Sequence, residues 1–112
     1  MDRGNSGEAV SHYREALRIR PHYAGAINNL GLVFLHNGDY EEAAIAFRKT
    51  IELFPTRALP HYNLSLALYR LGRTEEALTE CVEAVRLMPH HAPAQEHLKR
   101  LRGESGNAGG AG

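Results

Sequence analysis

Histidine is the most chemically versatile residue type in this sequence, and three of its seven histidines lie close together, at His90, His91 and His97. An imidazole can bind zinc, but a zinc site needs three or four His, Cys or carboxylate ligands at short, regular spacings. No cysteine or carboxylate completes such a spacing here, and His90 and His91 fall in a predicted turn. The pattern favours solvent-exposed histidines over a metal site. We therefore predict neither a metal nor a cofactor.

The single cysteine, Cys81, is the candidate for a thiol nucleophile. A catalytic cysteine needs a neighbouring base or positive charge that stabilises the thiolate, and no histidine pattern accompanies Cys81. Its place on the inward side of a predicted helix favours a buried core thiol. His36, Asp39 and Tyr40 bracket a turn without forming a catalytic arrangement, and no phosphate-binding loop follows a strand because no strand is predicted. We predict that the chain is not an enzyme.

Two asparagines, Asn29 and Asn63, are separated by 34 residues and could form successive rungs on one surface. An amide side chain offers both a donor and an acceptor, so stacked asparagines can bond the backbone of a bound peptide without reading its sequence. The alternative is that each amide satisfies a polar group on a neighbouring helix. The choice between them depends on the elements that carry the two residues.

Those elements recur with a period of 34 residues, which the prolines Pro21, Pro55 and Pro89 mark. The same offset relates four further sets: Gly4, Gly38 and Gly72; Glu8, Glu42 and Glu76; Ala9, Ala43 and Ala77; and Leu30, Leu64 and Leu98. A fixed period of this length is typical of a stacked helical repeat.

Each period contains two predicted helices. The apolar residues of the first recur at helical spacing, as do those of the second. In residues 24–57 these are Ala24, Ile27, Leu30, Phe34 and Leu35, then Ala43, Phe47, Thr50, Ile51 and Phe54.

The turns and helix ends have their own signals. Gly38 should end the first helix with a positive φ, and Pro55 should end the second. Asp39 with Glu42 predicts a capping box for the second helix. In the next period Arg73 replaces the capping residue, so Thr74 is predicted to cap instead.

At these positions the chain resembles a known family, because it provides a bulky residue, Leu-Gly, aromatics, small residues and a closing proline in the right order. The first complete copy supplies Ile27, Leu30, Gly31, Phe34, Ala43, Phe47, Thr50 and Pro55; the second supplies His61, Leu64, Ser65, Leu68, Ala77, Cys81, Ala84 and Pro89. The family is the tetratricopeptide repeat. The resemblance implies an all-α fold, a right-handed superhelical solenoid of antiparallel helix pairs.

The predicted domain covers residues 1–102 and has six helices: two complete repeats flanked by half-repeats. A half-repeat occupies residues 4–23, complete repeats occupy residues 24–57 and 58–91, and a closing helix occupies residues 92–102. Leu98 and Leu101 form a narrow apolar seam on that helix, whose other residues are polar, as the end of a solenoid requires. The glycine-rich tail, residues 103–112, is predicted to be disordered.

The resemblance also implies a function, because first helices in this family line a concave groove that holds a peptide. Carried over by alignment, the groove residues are Asn28, Asn29, Leu32, Leu35 and His36, then Tyr62, Asn63, Leu66, Tyr69 and Arg70, and finally Glu96, His97 and Arg100. Tyr62, Leu66 and Tyr69 are candidate affinity anchors, although burial between helices is an alternative role for them. We predict a non-catalytic interaction module that binds a protein or peptide partner.

One specialised family mode is disfavoured. Some members clamp a chaperone's terminal carboxylate with lysines, arginine and asparagines. At the positions that correspond to these clamp residues, this chain has Asn28, Leu32, Asn63, Pro93 and His97. Only Asn63 matches, and none of these five positions holds a fixed positive charge that could pair with the terminal carboxylate.

The composition excludes other classes of partner. Thirteen basic and thirteen acidic residues give zero formal net charge, which argues against a nucleic-acid or membrane-surface protein. No apolar run approaches the length of a membrane span, and no secretory signal is visible. With one cysteine, no internal disulfide is possible. We expect a cytoplasmic location.

The first half-repeat opens an alternative. It consists only of a second-type helix, predicted over residues 7–20, so its inward face lacks a partner helix. Ala9, Val10, Tyr13 and Leu17 could dock on another copy and form a homodimer, since burying such side chains stabilises by about 1.5–3 kcal/mol each before association costs. A further alternative is that the chain is a regulatory fragment of a larger enzyme.

Overall fold

The computed structural model describes residues 24–108, together with Ser11 and Glu15. Residues 24–108 form five helices and contain no strand: α1 (Ala24–Asn37), α2 (Tyr40–Leu53), α3 (Ala58–Arg70), α4 (Thr74–Leu87) and α5 (Ala92–Ala108). The predicted all-α fold of helix pairs is therefore confirmed.

The predicted sixth helix, at the start of the chain, coincides with a segment of which only two residues are described. Ser11 and Glu15 are both helical and exposed. The predicted self-association residues Ala9, Val10, Tyr13 and Leu17 lie outside the described residues, so the homodimer hypothesis stays a prediction.

The chain divides into an N-terminal unit, residues 1–55, and a C-terminal unit, residues 56–112. In the N-terminal unit α1 packs against α2, and the core contains Ile27, Phe34 and Phe47, each exposed by 1% or less. Burying each of these side chains stabilises the fold by about 1.5–3 kcal/mol. Helices α1 and α2 approach closely at Gly31, because a Cβ atom there would lie 2.6 Å from Cε1 of Phe47.

The turn between α1 and α2 forms as predicted. Gly38 takes a φ of 85°, which only a residue without a Cβ adopts at little cost. The Asp39 amide then donates to the Phe34 carbonyl over 2.8 Å, which satisfies one of the last carbonyls of α1. At the far end of the pair, α2 ends at Leu53, just before Pro55.

Two predicted caps differ from the structure. Asp39 is the N-cap residue of α2, but its side chain makes no capping hydrogen bond. Thr74 is the first residue of α4 and Arg73 is its N-cap, also without a side-chain capping bond. In both cases the backbone conformation of the turn leads directly into the helix. The Ala43 amide donates to the Asp39 carbonyl over 3.0 Å, and the Ala77 amide donates to the Arg73 carbonyl over 2.9 Å.

The C-terminal unit packs α4 against both α3 and α5. Its apolar core includes Leu64, Leu68, Ala77, Cys81, Ala84, Ala94, Leu98 and Leu101. The turn between α3 and α4 has the same geometry as the turn between α1 and α2. Gly72 takes a φ of 81°, and the Arg73 amide donates to the Leu68 carbonyl over 2.9 Å. Leu98 and Leu101 are buried, as the predicted seam requires.

Helix α5 extends beyond its predicted end. The sequence placed that end at residue 102 and predicted disorder from residue 103, whereas the helix continues to Ala108. Once a helix is nucleated and anchored, each added residue gains a backbone hydrogen bond, and this favours extension despite the helix-weakening glycines.

Candidate functional site

Two tyrosines of α3 and two histidines form an aromatic cluster, defined here as the Tyr–His cluster: Tyr62, Tyr69, His91 and His97. Tyr62 and Tyr69 meet the His97 ring edge to face, with centroid distances of 6.0 and 5.6 Å and interplanar angles of 84° and 85°. Tyr62 also meets His91, at 5.5 Å and 71°. Both tyrosines remain half-buried, as does His91. Edge-to-face aromatic pairs stabilise beyond their buried area, so the cluster fixes both tyrosine rings.

His97 is the buried centre of this cluster, with only 4% of its surface exposed. Its Nε2 lies 3.1 Å from Ser65 Oγ, and Ser65 Oγ donates to the Ala77 carbonyl over 2.6 Å. A serine hydroxyl has one hydrogen, and the Ala77 carbonyl takes it. His97 must therefore donate from Nε2 to Ser65, which fixes its tautomer and links α5 to α3 and α4.

The half-buried face of α3 continues between the tyrosines. Leu66 follows Tyr62 by four residues and precedes Tyr69 by three, so the three side chains share one helix face. Leu66 is also half-buried, whereas Arg70 is exposed at the end of the helix. This surface of Tyr62, Leu66 and Tyr69 is called the aromatic face below.

Arg100 of α5 adds a positive charge beside the aromatic face. Burial raises the pKa of the Tyr62 phenol and the Cys81 thiol raises it further, while Arg100 lowers it. Arg100 follows His97, whose ring contacts both tyrosines, by about one turn of the same helix. Its side chain is exposed.

Two of the predicted contact residues are buried. Asn63 is 9% exposed and His97 is 4% exposed, so neither presents its side chain to a partner. His97 instead lies against the two tyrosine rings of the aromatic face.

The N-terminal unit presents a different surface on α1. Asn29, Leu32 and His36 are exposed, with Leu32 at 40%. Asn28 is half-buried, and its Oδ1 is buried without a hydrogen-bond partner among the residues described. Because Asn29 is exposed and Asn63 is buried, the two residues of the proposed asparagine ladder occupy unlike environments.

Family models match almost the whole repeat region. A tetratricopeptide repeat model matches residues 1–58 and a second one matches residues 58–91. The chain belongs to the tetratricopeptide repeat family. Repeats of this family are generally non-catalytic, and the chain is accordingly a protein–protein interaction module. No curated protein matches its sequence.

Solved tetratricopeptide structures have the same fold. MamA from Desulfovibrio magneticus RS-1 is 24% identical with a TM-score of 0.81, and the match covers 96% of this chain and 61% of that one. The tetratricopeptide domain of Arabidopsis OM64 is 24% identical with a TM-score of 0.78, covering 88% of this chain and 82% of that one. A mutant O-GlcNAc transferase from Thermobaculum terrenum is 30% identical with a TM-score of 0.73, covering 89% and 20%. The chain thus spans about three fifths of the MamA chain it resembles.

The tetratricopeptide pattern did not reveal one polar pair. His61 occupies the slot that Ile27 fills one period earlier, and its Nδ1 lies 2.8 Å from Glu80 Oε1 on α4. Glu80 stands where the first period has Ala46. An apolar pair in one repeat is thus replaced by a polar pair in the next. Both substitutions, Ile27 to His61 and Ala46 to Glu80, lie at the same 34-residue offset, and together they predict the contact between His61 and Glu80.

The remaining reactive groups have structural roles. Cys81 is fully buried, with its Sγ 3.5 Å from the Ala94 carbonyl, and burial raises the pKa of its thiol. The residues that the structure describes contain no group of three potential metal ligands. In the same part of the chain, no helix is long and apolar enough to cross a membrane.

Proposed function

We propose that this tetratricopeptide chain binds an extended or helical segment of a partner protein, with the aromatic face as the main contact. The observation that carries the proposal is the fixing of Tyr62 and Tyr69 by the buried His97. Tyrosine is enriched among residues that dominate binding energy. A side chain that is already fixed loses little further conformational entropy when a partner binds.

The aromatic face combines partial exposure with a rigid support. Tyr62, Leu66 and Tyr69 are each half-buried, so each retains apolar surface that a partner can cover. Their support is a chain of interactions through His97 and Ser65 to the Ala77 carbonyl. His97 would contribute by holding this face in place, whereas the sequence predicted that it contacts the partner directly.

The exposed residues of α1 are proposed as a separate contact surface, which belongs to the N-terminal unit alone. Asn29, Leu32 and His36 are separated by three and four residues, which brings them to one face of the helix. Asn29 would bond the partner backbone, and Leu32 would bury part of its exposed 40%. Arg70, exposed at the end of α3, would lie at the edge of the bound segment.

The test is a selection from a random peptide library displayed on phage, followed by anisotropy measurements with the strongest binders. Tyr69→Ala should raise the Kd by about tenfold or more, which corresponds to at least about 1.4 kcal/mol. Val82→Ala is the control, because Val82 is a 42% exposed apolar residue on α4. An unchanged Kd for Tyr69→Ala, or an equal loss for Val82→Ala, would refute the proposal.

A second candidate is that the chain is a regulatory segment of a larger enzyme. It is favoured by the 30% identity to the Thermobaculum terrenum O-GlcNAc transferase, of which this chain spans 20%. The test is the open reading frame at the natural locus. A catalytic domain fused in frame would support this candidate, and stop codons directly flanking these residues would reject it.

A further inference from the structure

Charge is distributed unevenly among the helices of the C-terminal unit, although the whole chain has zero formal net charge. Helix α3 contains no aspartate or glutamate, and Arg70 is its only arginine or lysine. Helix α4 instead carries four glutamates, Glu75, Glu76, Glu80 and Glu83, and a single arginine. The aromatic face therefore belongs to a helix without acidic residues.

On α5, the residues nearest to the aromatic face add positive charge. Arg100 follows His97 by three residues, about one helical turn, and the His97 ring contacts both Tyr62 and Tyr69 of the aromatic face. Lys99 and Arg102 on the same helix are also exposed, and Glu96 is the one exposed acidic residue between Ala92 and Gly103.

Arg100 is available for a partner. No carboxylate among the described residues lies within 4.0 Å of its guanidinium, and this includes Glu96 one turn earlier. Arg86 on α4 is a contrasting case, because its Nε donates to Glu83 over 3.0 Å and its Nη2 also pairs with that carboxylate. An exposed arginine without a local carboxylate can form a charge-assisted hydrogen bond with an incoming one.

We propose that the segment bound on the aromatic face is acidic, with an apolar or aromatic side chain against Tyr62, Leu66 and Tyr69 and a carboxylate paired with Arg100. This inference rests on the proposed function and assigns the chemistry of its partner. Arginine is suited to the role because its planar guanidinium can bind a carboxylate through two hydrogen bonds. The positive charge also favours approach of an acidic segment over a basic one.

A nucleic acid fits the same surface less well. Its backbone would need several phosphate contacts along a basic track, and Glu96 with the acidic α4 interrupts any such track. A second copy of this chain could also bring acidic residues, through the glutamates of α4. The experiment separates these occupants from a peptide segment.

The first measurement is the charge of the peptides that the displayed library yields. Selection on the full chain should enrich aspartate and glutamate beside apolar or aromatic residues, and selection on Arg100→Glu should lose that enrichment. Binders that are neutral or basic would overturn this inference and leave the proposed function standing. Failure to enrich any peptide above the Tyr69→Ala background would overturn the proposed function itself.

The second measurement uses the strongest acidic peptide from that selection. Arg100→Glu should raise its Kd by about tenfold or more, and Kd should also rise between about 50 and about 500 mM salt. Lys99→Glu is the matched control, since it makes the same charge change at the adjacent exposed position, and it should alter Kd by less than about threefold. An equal effect of both variants would show attraction to overall charge and overturn the pairing with Arg100.

Two controls address the other occupants. A labelled single-stranded oligothymidine that binds more tightly than the peptide, and loses binding in Arg100→Glu, would make the surface a nucleic-acid site and overturn the inference. Sedimentation of the chain alone should give a mass near 12.4 kDa. A doubled mass that Arg100→Glu returns to monomer would make a second copy the occupant, which also contradicts the proposal.

Discussion

Gly31 of α1 faces the ring of Phe47 on α2 so closely that a Cβ atom on the glycine would lie 2.6 Å from Phe47 Cε1. The next repeat has different residues at the two corresponding positions. Ser65 replaces Gly31 and Cys81 replaces Phe47, and the smaller thiol leaves room for the serine side chain. The two positions therefore vary together: a large ring requires glycine opposite, and a small residue permits serine.

Gly31→Ala should destabilise the N-terminal unit. Overpacking a core costs about 1–3 kcal/mol, and this exceeds the gain of about 1 kcal/mol that alanine brings to a helix over glycine. Urea unfolding monitored by circular dichroism measures the change. In the variant with Phe47→Leu as well, the cost of Gly31→Ala should become smaller than in the wild type.

Gly103→Ala is the control for this prediction. Apart from its chain neighbours and its own helix backbone, no described atom lies within 4 Å of the Cβ position at Gly103, so only the helix-propensity gain of about 1 kcal/mol or less remains. A Gly31→Ala protein as stable as Gly103→Ala would contradict the steric explanation.

The polar pair His61–Glu80 should be replaceable by the apolar pair of the preceding repeat. Glu80→Ala alone removes the 2.8 Å contact with the buried His61 imidazole and should cost about 1–3 kcal/mol. The double variant His61→Ile with Glu80→Ala installs the residues found at Ile27 and Ala46. It should recover most of that loss, because a well-packed apolar pair often matches a buried polar one.

Chemical denaturation of both variants tests this comparison. The expected order of stability places the double variant above Glu80→Ala. If the double variant is the less stable of the two, the pair has a role that packing cannot replace.

His97→Leu should loosen the tyrosines without removing the bulk of the side chain. The chain has five tyrosines and no tryptophan, so its near-ultraviolet circular dichroism reports mainly on tyrosine. Loss of the His97–Ser65 bond and of the edge-to-face contacts should weaken that signal while the far-ultraviolet helical signal persists. It should also weaken peptide binding by several-fold, about 1 kcal/mol.

The conservative variant His97→Gln provides the contrast. A glutamine amide can donate to Ser65 as the imidazole does, so part of the binding should return. Identical binding by the Leu variant and the wild type would exclude a positioning role for His97.

Stability should fall in alkaline solution. Burial raises the pKa of Cys81 from its ordinary 9.0 and the pKa of Tyr62 from its ordinary 10.0. The folded state thus keeps these protons at a pH where the unfolded chain has lost them. The contribution is complete below the ordinary values and is lost as the pH rises through the raised ones.

Urea titrations between about pH 8 and about pH 11 measure this loss. Cys81→Ala should delay its onset, since the thiol has the lower ordinary pKa, and Tyr62→Phe should reduce the loss at higher pH. The native thiol should also react slowly with iodoacetamide, because Cys81 is fully buried. Rapid alkylation under native conditions would contradict its assignment to the core.

The sequence alone determined the repeat. Glycine at position 38 and proline at position 55 act through local backbone geometry, so their effects on helix ends could be predicted from residue type and spacing. Burial of Phe34 and Phe47 followed from helical periodicity, because apolar residues on one face of a helix must be covered.

Only the tertiary structure decided which polar residues of that pattern are interior. His97 and Asn63 lie at positions that alignment assigns to a binding surface, yet both are buried. Burial of His97 is possible because Ser65 offers an acceptor and two tyrosines surround the ring. Such partners come from other helices, and sequence periodicity describes one helix at a time. A helix face can be predicted locally, whereas the cost of burying a polar group depends on the neighbours that the fold brings to it.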